Sequence, residues 1–533
     1  MRVQCFVYFK KKGWQMDKFD EAKNGYEKFK GEDFREFQKE AIEFIVESKK
    51  KIVVACLPTG AGKSLIGTIS ANLSGGGIYL VHSKPLQVQL QNDFPELPIM
   101  WGRGNYECLK SGGELSCSDC TSSGSNPCPN KAGKCPYLTA KAIARNSFIK
   151  VLNYDYWITE VNYVGSFGGQ DFIVVDEADS LEYIISKFID LEFSEGLMKY
   201  LGMPYPKYKT TSSEHSLEDW RKWAKFALQR IIFKIRDLDR ANNDLDPDPA
   251  LLKRREKLTG LKRKLEMFVD NVDESWIYDE VVRGESKSIS FKPRWVNVKL
   301  AEKYIWSHAK KFVLMSATFP PLPVLAKQLG VNITDMEYRE FKSTFPVSNR
   351  PVEFMPIANM VYSEMDDEIP KAIECIKMLM DRHKNEKGLI HTVSYKLARE
   401  VMGIGDSRLV THNGEDKIRA IEDFKNSDKP LIMVSPSSER GISLDGEKCR
   451  WIVWMKAPYL NLKDKMVSAR LYKSSIGNLW YKSNAIMTVV QGCGRAVRSN
   501  QDRAVSYIID KQIIKLITEN PRLVPGWFRE AIW

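Results

Sequence analysis

Residues 51–73 read "KIVVACLPTGAGKSLIGTISANL". The first six residues form a short apolar, β-rich run, the next stretch is a glycine-bearing turn, and "SLIGTISANL" has the pattern of a helix start. Strand, phosphate loop and helix follow in that order. The general phosphate-loop pattern asks for glycine five places before the Gly-Lys pair, and Leu57 stands there instead. What remains, Pro58, Thr59, Gly60, Ala61, Gly62, Lys63 and Ser64, is what the chemistry requires. Small residues let successive backbone N–H groups turn inward on phosphate oxygens at a helix start. Lysine reaches the β and γ phosphates, and the serine hydroxyl is a ligand for Mg²⁺.

Working outward, further apolar runs recur at 77–83, 171–179, 311–319, 387–394, 430–438, 450–458 and 504–510, with helical patterns between them. Strands alternating with helices imply parallel sheets covered on both faces, and so many fit two α/β domains better than one. The run at 171–179, "DFIVVDEAD", ends in Asp176 and Glu177. Both carboxylates are therefore expected at the carboxyl end of a strand, where open α/β sheets place ligands. One can hold Mg²⁺ and its neighbour can orient the attacking water. Near the other end, "QGCGRAVRS" supplies Gln491, Gly494, Arg495 and Arg498. Two arginines three apart are expected on one helical face, able to reach a γ-phosphate from a second domain.

Two segments break the rhythm. Residues 108–135, "CLKSGGELSCSDCTSSGSNPCPNKAGKC", carry Cys108, Cys117, Cys120, Cys128 and Cys135, half of the ten cysteines in the chain. The segment has no apolar period to drive folding by burial, so bound metal is expected, and thiolate spacing alone leaves zinc and an iron-sulfur cluster both open. The other cysteines are scattered singly, unlike a secreted disulfide scaffold. The second segment, about 185–290, reads as a helical hairpin. Trp220, Ala224, Ala227, Ile231 and Leu238 share one face, and after "NNDLDPDP" Leu251, Leu258 and Leu265 recur at spacing seven. Its second helix is basic, with Lys253, Arg254, Arg255, Lys257, Lys262, Arg263 and Lys264 around Glu256. That face suits either solvent or a phosphate backbone.

Bulk properties set limits. The 533 residues are 43% hydrophobic, and the formal net charge of +12 favours an acidic partner such as nucleic acid. There is no run of about 18 apolar residues, and "MRVQCFVYFKKKGWQ" has its lysines after the apolar patch, so neither a membrane span nor a signal peptide is expected.

Taken in order, these pieces resemble the iron-sulfur branch of superfamily 2 helicases, the XPD/DinG-like family, over residues 34–515. "FREFQKEAI" resembles the adenine-side motif, with Arg35 and Gln38. "LPTGAGKS" resembles motif I, "GRGNYEC" leads into the cysteine segment and "CPYLTAKAIA" leads out. "VLNYDYWI" precedes the "DEAD" box, where Asp179 replaces the more usual His. "MSATF" resembles motif III, "HTVSYKLARE" motif IV and "QGCGRAVRS" motif VI, and Asp502 and Asp510 lie in an ending like the family's. Motif V departs. Where the family has Glu-Gly-x-Asp, Arg440 and Ser443 stand, with Glu439 and Asp445 shifted.

The resemblance implies two RecA-like parallel-sheet motor domains with an iron-sulfur insertion and a helical arch in the first. Residues 16–105 would open motor domain 1, 106–137 form the cluster domain, and 138–184 and 291–325 complete motor domain 1. Residues 185–290 would be the arch and 326–533 motor domain 2. It implies ATP and Mg²⁺ as cofactors, Arg495 and Arg498 acting on the γ-phosphate from the second domain, and a [4Fe-4S] cluster rather than zinc. The family order of ligands selects Cys108, Cys117, Cys120 and Cys135, with Cys128 the spare or the alternative fourth ligand. It implies 5′→3′ movement on single-stranded and forked DNA by a monomer, in repair or replication. The compact length implies the cytoplasm of a prokaryote or a virally infected cell. Two other readings stay open: an RNA-directed DEAD-type ATPase, and a nucleic-acid-binding module with an inactive ATP site.

Overall fold

A computed structural model describes residues 17–109, 112, 114–120, 135–206, 217–241, 248–283, 286–413, 416–436, 444, 446–499 and 501–533. Glu439, Arg440, Ser443 and Asp445 of the altered motif V, and Cys128, lie outside these residues.

In chain order the strands of the first half are β1 (Ile52–Cys56), β2 (Gly77–Val81), β3 (Ile99–Met100), β4 (Ile149–Asn153), β5 (Gln170–Asp176), β6 (Leu191–Ser194), β7 (Trp276–Arg283), β8 (Ser286–Pro293), β9 (Ala309–Ser316) and β10 (Met336–Glu340). Those of the second half are β11 (Val352–Ala358), β12 (Gly388–His391), β13 (Leu409–Thr411), β14 (Ile432–Ser435), β15 (Trp451–Trp454) and β16 (Val505–Asp510). Every strand expected from an apolar run is present.

They build two parallel sheets, ordered β10-β1-β9-β5-β2-β4-β3 and β11-β16-β15-β12-β14-β13. All five residues of β1 are buried, as a central parallel strand covered on both faces requires. β1, β9 and β5 are neighbours in the first sheet. Their carboxyl ends therefore bring the phosphate loop, the "MSATF" segment and the "DEAD" box together.

The helical hairpin forms over Leu217–Ala241 and Pro249–Asn271, burying Ala224, Ala227, Ile231, Leu258 and Leu265 as the spacing predicts. Its base is a three-stranded antiparallel sheet, β6-β8-β7, that the leucine pattern does not announce. The boundary expected at 290 falls inside β8. The expected break at 325/326 also shifts, because it falls within the helix Leu322–Leu329 and β10 pairs with β1 in the first sheet. The first domain therefore runs to about Glu340. No described helix is long and apolar enough to cross a membrane.

Candidate nucleotide and metal sites

The phosphate loop leaves β1 at Leu57, whose N–H donates to Ser316 O at 2.8 Å, and enters the helix Lys63–Leu73. Gly60 and Gly62 adopt φ of 79° and 78°, the left-handed region where a side chain is strained. Gly62 is further constrained, because a Cβ there would meet Gln38 Nε2 at 2.4 Å. Arg35 and Gln38 both hold the loop: Arg35 Nη1 donates to Gly60 O at 2.9 Å and Gln38 Nε2 to Ala61 O at 3.0 Å. Gln38 Oε1 in turn accepts from the Arg35 backbone N–H at 2.9 Å.

Lys63 lies over the loop, with Nζ 3.5 Å from the carbonyl oxygens of Leu57 and Pro58. Burial holds its ammonium below the usual lysine range, while Asp176 opposes that shift. Asp176 is itself buried, and desolvation raises its carboxyl above the ordinary range against the pull of Lys63 and the Tyr79 hydrogen bond. Tyr79 Oη donates to Asp176 Oδ2 at 2.9 Å, and the same hydroxyl also hydrogen-bonds with Ser64. Tyr154 Oη donates to the Asp176 carbonyl. Tyr79 lies outside every motif quoted above, whereas Tyr154 falls within "VLNYDYWI". The available signal is a tyrosine inside the otherwise aliphatic buried run "GIYLV".

Glu177 has φ of 54°, uncommon for a non-glycine residue, and its N–H donates to Asp176 Oδ1 at 2.9 Å. Desolvation, then Asp176 and Asp179, push its carboxyl up to about 7. Asp179, standing where the family has His, accepts from Ser316 Oγ at 2.8 Å and from Gln491 Nε2 at 3.0 Å. Gln491 also donates to Thr318 Oγ1 at 2.7 Å. One glutamine thus joins the second domain to both the "DEAD" and "MSATF" segments of the first.

The motif VI arginines are not on one helical face. The helix Gly477–Cys493 ends before them, and its next residue, Gly494, packs against the phosphate loop, where an added Cβ would lie 3.5 Å from Thr59 Oγ1. Asp502 Oδ2 accepts from the N–H groups of Arg498 and Ser499, each at 2.9 Å, which fixes a turn rather than another helical turn. Arg498 acts electrostatically on Lys63 and Glu177. Arg495 is buried beside His391. Asp510 is an internal cap, accepting from the N–H groups of Met360, Ala457 and Gln512.

Ser64, Asp176 and Lys63 suit an Mg²⁺-bound polyphosphate: a hydroxyl and a buried carboxylate share Tyr79, and a half-buried ammonium acts on the carboxylate. The cysteine site fits its expected metal in part. Cys117 is buried, and its thiol is raised to about 11 by desolvation, by Cys135, to which it hydrogen-bonds, and by Cys108. Among the described residues no three His, Cys, Asp or Glu side chains are arranged as metal ligands. Cys135 stands at the N-terminal cap position of the helix Pro136–Asn146, which Tyr137 and Lys141 tie to Glu160 of the first domain at 3.1 and 2.7 Å.

The basic hairpin helix is largely committed within the fold. Lys253 pairs with Asp119 at 3.7 Å, Arg255 with Asp239, and Lys262 with Glu266 at 3.3 Å. Arg254 and Arg263 lie over Tyr200 and Tyr163, and Lys264 Nζ donates to the carbonyls of Lys187 and Asp190.

Comparison with solved structures decides the architecture. An XPD helicase superposes with a TM-score of 0.63 at 16% identity, covering 92% of this chain and 98% of that one. The chain has the XPD helicase fold. An apo XPD structure matches with a TM-score of 0.58 at 17% identity, over 92% and 99% of the two chains. Xpd4 of S. tokodaii gives 0.58 at 13% identity, over 93% and 99%. Residues 377–531 match the family described as the helicase C-terminal domain. The fold match and the family match are both to helicases. Among curated proteins, none matches the chain. The loop and carboxylates of the first sheet thus meet Gln491 and Arg498 of the second where the two domains touch.

Proposed function

We propose that this protein is an ATP-driven DNA helicase that moves 5′→3′ along single-stranded DNA and opens forked duplexes. The observation that carries the reading is the Gln491 bridge: a second-domain side chain hydrogen-bonded to Asp179 and Thr318, with Arg498 acting on Lys63 and Glu177. A phosphoryl-transfer site whose parts come from two domains is completed only when they close, which couples hydrolysis to domain movement.

In this reading Arg35 and Gln38 hold the loop in the shape that receives the nucleotide, and the loop N–H groups with Lys63 neutralise the β and γ phosphates. Ser64 and Asp176 would hold Mg²⁺, which when bound supplies charge neutralisation on those phosphates. Glu177 orients the attacking water and accepts its proton; a carboxyl poised at about 7 is suited to that task. Arg498, with Arg495 from the same motif, stabilises charge on the departing γ-phosphoryl from the second domain. Cys108, Cys117, Cys120 and Cys135 would hold a [4Fe-4S] cluster, supported by the convergence of Cys117 on Cys135 and Cys108. A cluster bound there supplies a cross-link to a segment that sequence gives no apolar core.

The test is unwinding of forked DNA bearing a 5′ or a 3′ single-stranded tail, alongside ATP hydrolysis stimulated by DNA or by RNA, in the wild type and Lys63→Ala. Unwinding from the 5′ tail alone, lost in Lys63→Ala, is the expected result. Stimulation by RNA only would select the RNA-directed reading. No nucleic-acid-dependent hydrolysis at all would leave a binding module.

A further inference from the structure

Tyr79 is a buried polar group to which the phosphoryl-transfer reading gives no task. It lies in the middle of β2 and is fully buried, a place where an aliphatic side chain would serve the core as well. The register sets it beside Val174 of β5, two residues before Asp176. Alternate residues of a strand share a face, so the ring lies on the face of the Asp176 carboxylate, one repeat short of it, and its hydroxyl covers that distance. Room for the ring comes from the helix that follows the phosphate loop. A Cβ at Gly67 would stand 2.8 Å from Tyr79 Cε2, 2.7 Å from Met315 Cε and 2.9 Å from Val174 Cγ1. Glycine inside a helix weakens it, and here it is the residue that lets the ring lie against the helix backbone.

A hydroxyl buried among apolar groups needs partners, and the two that Tyr79 has, Asp176 and Ser64, are both candidate Mg²⁺ ligands. A phenol carries one proton. Tyr79 Oη gives it to Asp176 Oδ2 at 2.9 Å, so in the bond with Ser64 the serine donates and the phenol oxygen accepts. The Ser64 proton is thereby turned toward Tyr79, and the lone pairs of its oxygen are left for a cation. Asp176 is fixed at its other oxygen as well, since Oδ1 accepts the Glu177 N–H at 2.9 Å. We infer that Tyr79 is a positioning residue for Mg²⁺, holding the Ser64 hydroxyl and the Asp176 carboxylate as one preformed pair. This rests on the reading of the loop as an Mg²⁺-nucleotide site and adds to it the group that orients both metal ligands.

The experiment is equilibrium binding of the β,γ-imido analogue of ATP, which is not hydrolysed, to the full chain of wild type and of Tyr79→Phe, once with Mg²⁺ and once with EDTA. For each protein the ratio of the two affinities is the factor by which the metal tightens binding. Loss of a residue that orients metal ligands costs about ten- to a hundredfold in metal affinity, so this factor should shrink about tenfold in Tyr79→Phe. The affinity in EDTA should be unchanged, which also shows that the loop is still folded. Equal loss with and without Mg²⁺ would make Tyr79 a support of the fold and overturn the inference, as would an unchanged factor. A wild type that Mg²⁺ does not tighten would overturn the metal-site reading and this inference together. Binding is read without hydrolysis, so the helicase reading can fail on DNA unwinding while this one stands.

Discussion

Among the described residues, two contacts between the first and second domains are of opposite character. In one the contact is small and centred on hydrogen bonds from Gln491 to Asp179 and Thr318, with Gly494 beside Thr59 and the Phe345 ring on Gly60. Away from it, the buried Arg470 of the helix Lys465–Tyr472 is enclosed by the first domain. Its Nη1 lies 2.6 Å from Glu182 Oε1, its Nε donates to Arg294 O at 2.7 Å, and its guanidinium stacks 4.6 Å from the Trp295 ring and 5.3 Å from Trp480. Lys465 adds a pair with Asp279 at 3.0 Å. The first contact uses groups that a nucleotide would recruit. The second uses a desolvated cation whose partners have no part in phosphate chemistry. A hinge needs one side that works and one that holds, and the difference in desolvation assigns these roles.

The comparison is broken most severely on the working side by Lys63→Ala. Loss of one preorganised cation from a phosphoryl-transfer site should lower nucleic-acid-stimulated ATP hydrolysis at least about a hundredfold. Because burial already disfavours the Lys63 ammonium, the melting temperature should not fall. A lower melting temperature would show that the lysine holds the loop rather than serving a ligand.

On the holding side, Arg470→Ala leaves Glu182 and a tryptophan-lined space without their cation. Unfolding in denaturant should show a loss of about 3 kcal/mol, the lower end of the range for breaking a buried pair. A double-mutant cycle with Glu182→Ala separates the pair from the stacking. If Arg470→Ala is neutral in stability, the contact holds nothing.

A pH effect comes next. His391 is buried, stacked on Trp454 at 4.2 Å, and held down to about 3 by desolvation and by Arg495. A base whose folded pKa is depressed is neutral in the native state, so the native state is at full stability above the unfolded value near 6.5 and weakens as pH falls toward 3. Between pH 7 and pH 5 about 2 kcal/mol should be lost on this account. His391→Phe should flatten that slope in denaturant titrations at several pH values.

The smallest effect is expected for Gln491→Ala, about 1 kcal/mol of stability for its neutral hydrogen bonds. Hydrolysis should fall more than stability does, since the bridge matters when the cleft is closed. Stimulated ATPase rate set against denaturant midpoint distinguishes the two.

How far the sequence goes follows the same division. Buried central strands such as β1 and β5 announce themselves as unbroken apolar runs, and the loop, Asp176, Glu177 and Gln491 by their spacing. Edge and partly exposed strands do not: β10 reads "MEYRE" and buries only its first residue. β6, β7 and β8 are overshadowed by the leucine periodicity between them. Arg495 and Arg498 look helical until Gly494 and the Asp502 cap turn the chain. Tyr79 and the Asp179–Gln491 bond, made across 312 positions, depend on tertiary placement that no local pattern encodes. Phe345 carries no local mark at all.

β10 pairs with β1 residue for residue, Ile52 to Met336 through Cys56 to Glu340, and Phe341 N–H continues the ladder onto Cys56 O at 3.0 Å. The path from there to Phe345 is four residues long, and one residue more or less shifts an extended chain by about 3.3 Å and reverses the face its side chains occupy. What natural variation must conserve between 341 and 345 is therefore the count of residues before their identity. Substitutions there should accumulate among homologues while insertions and deletions are absent.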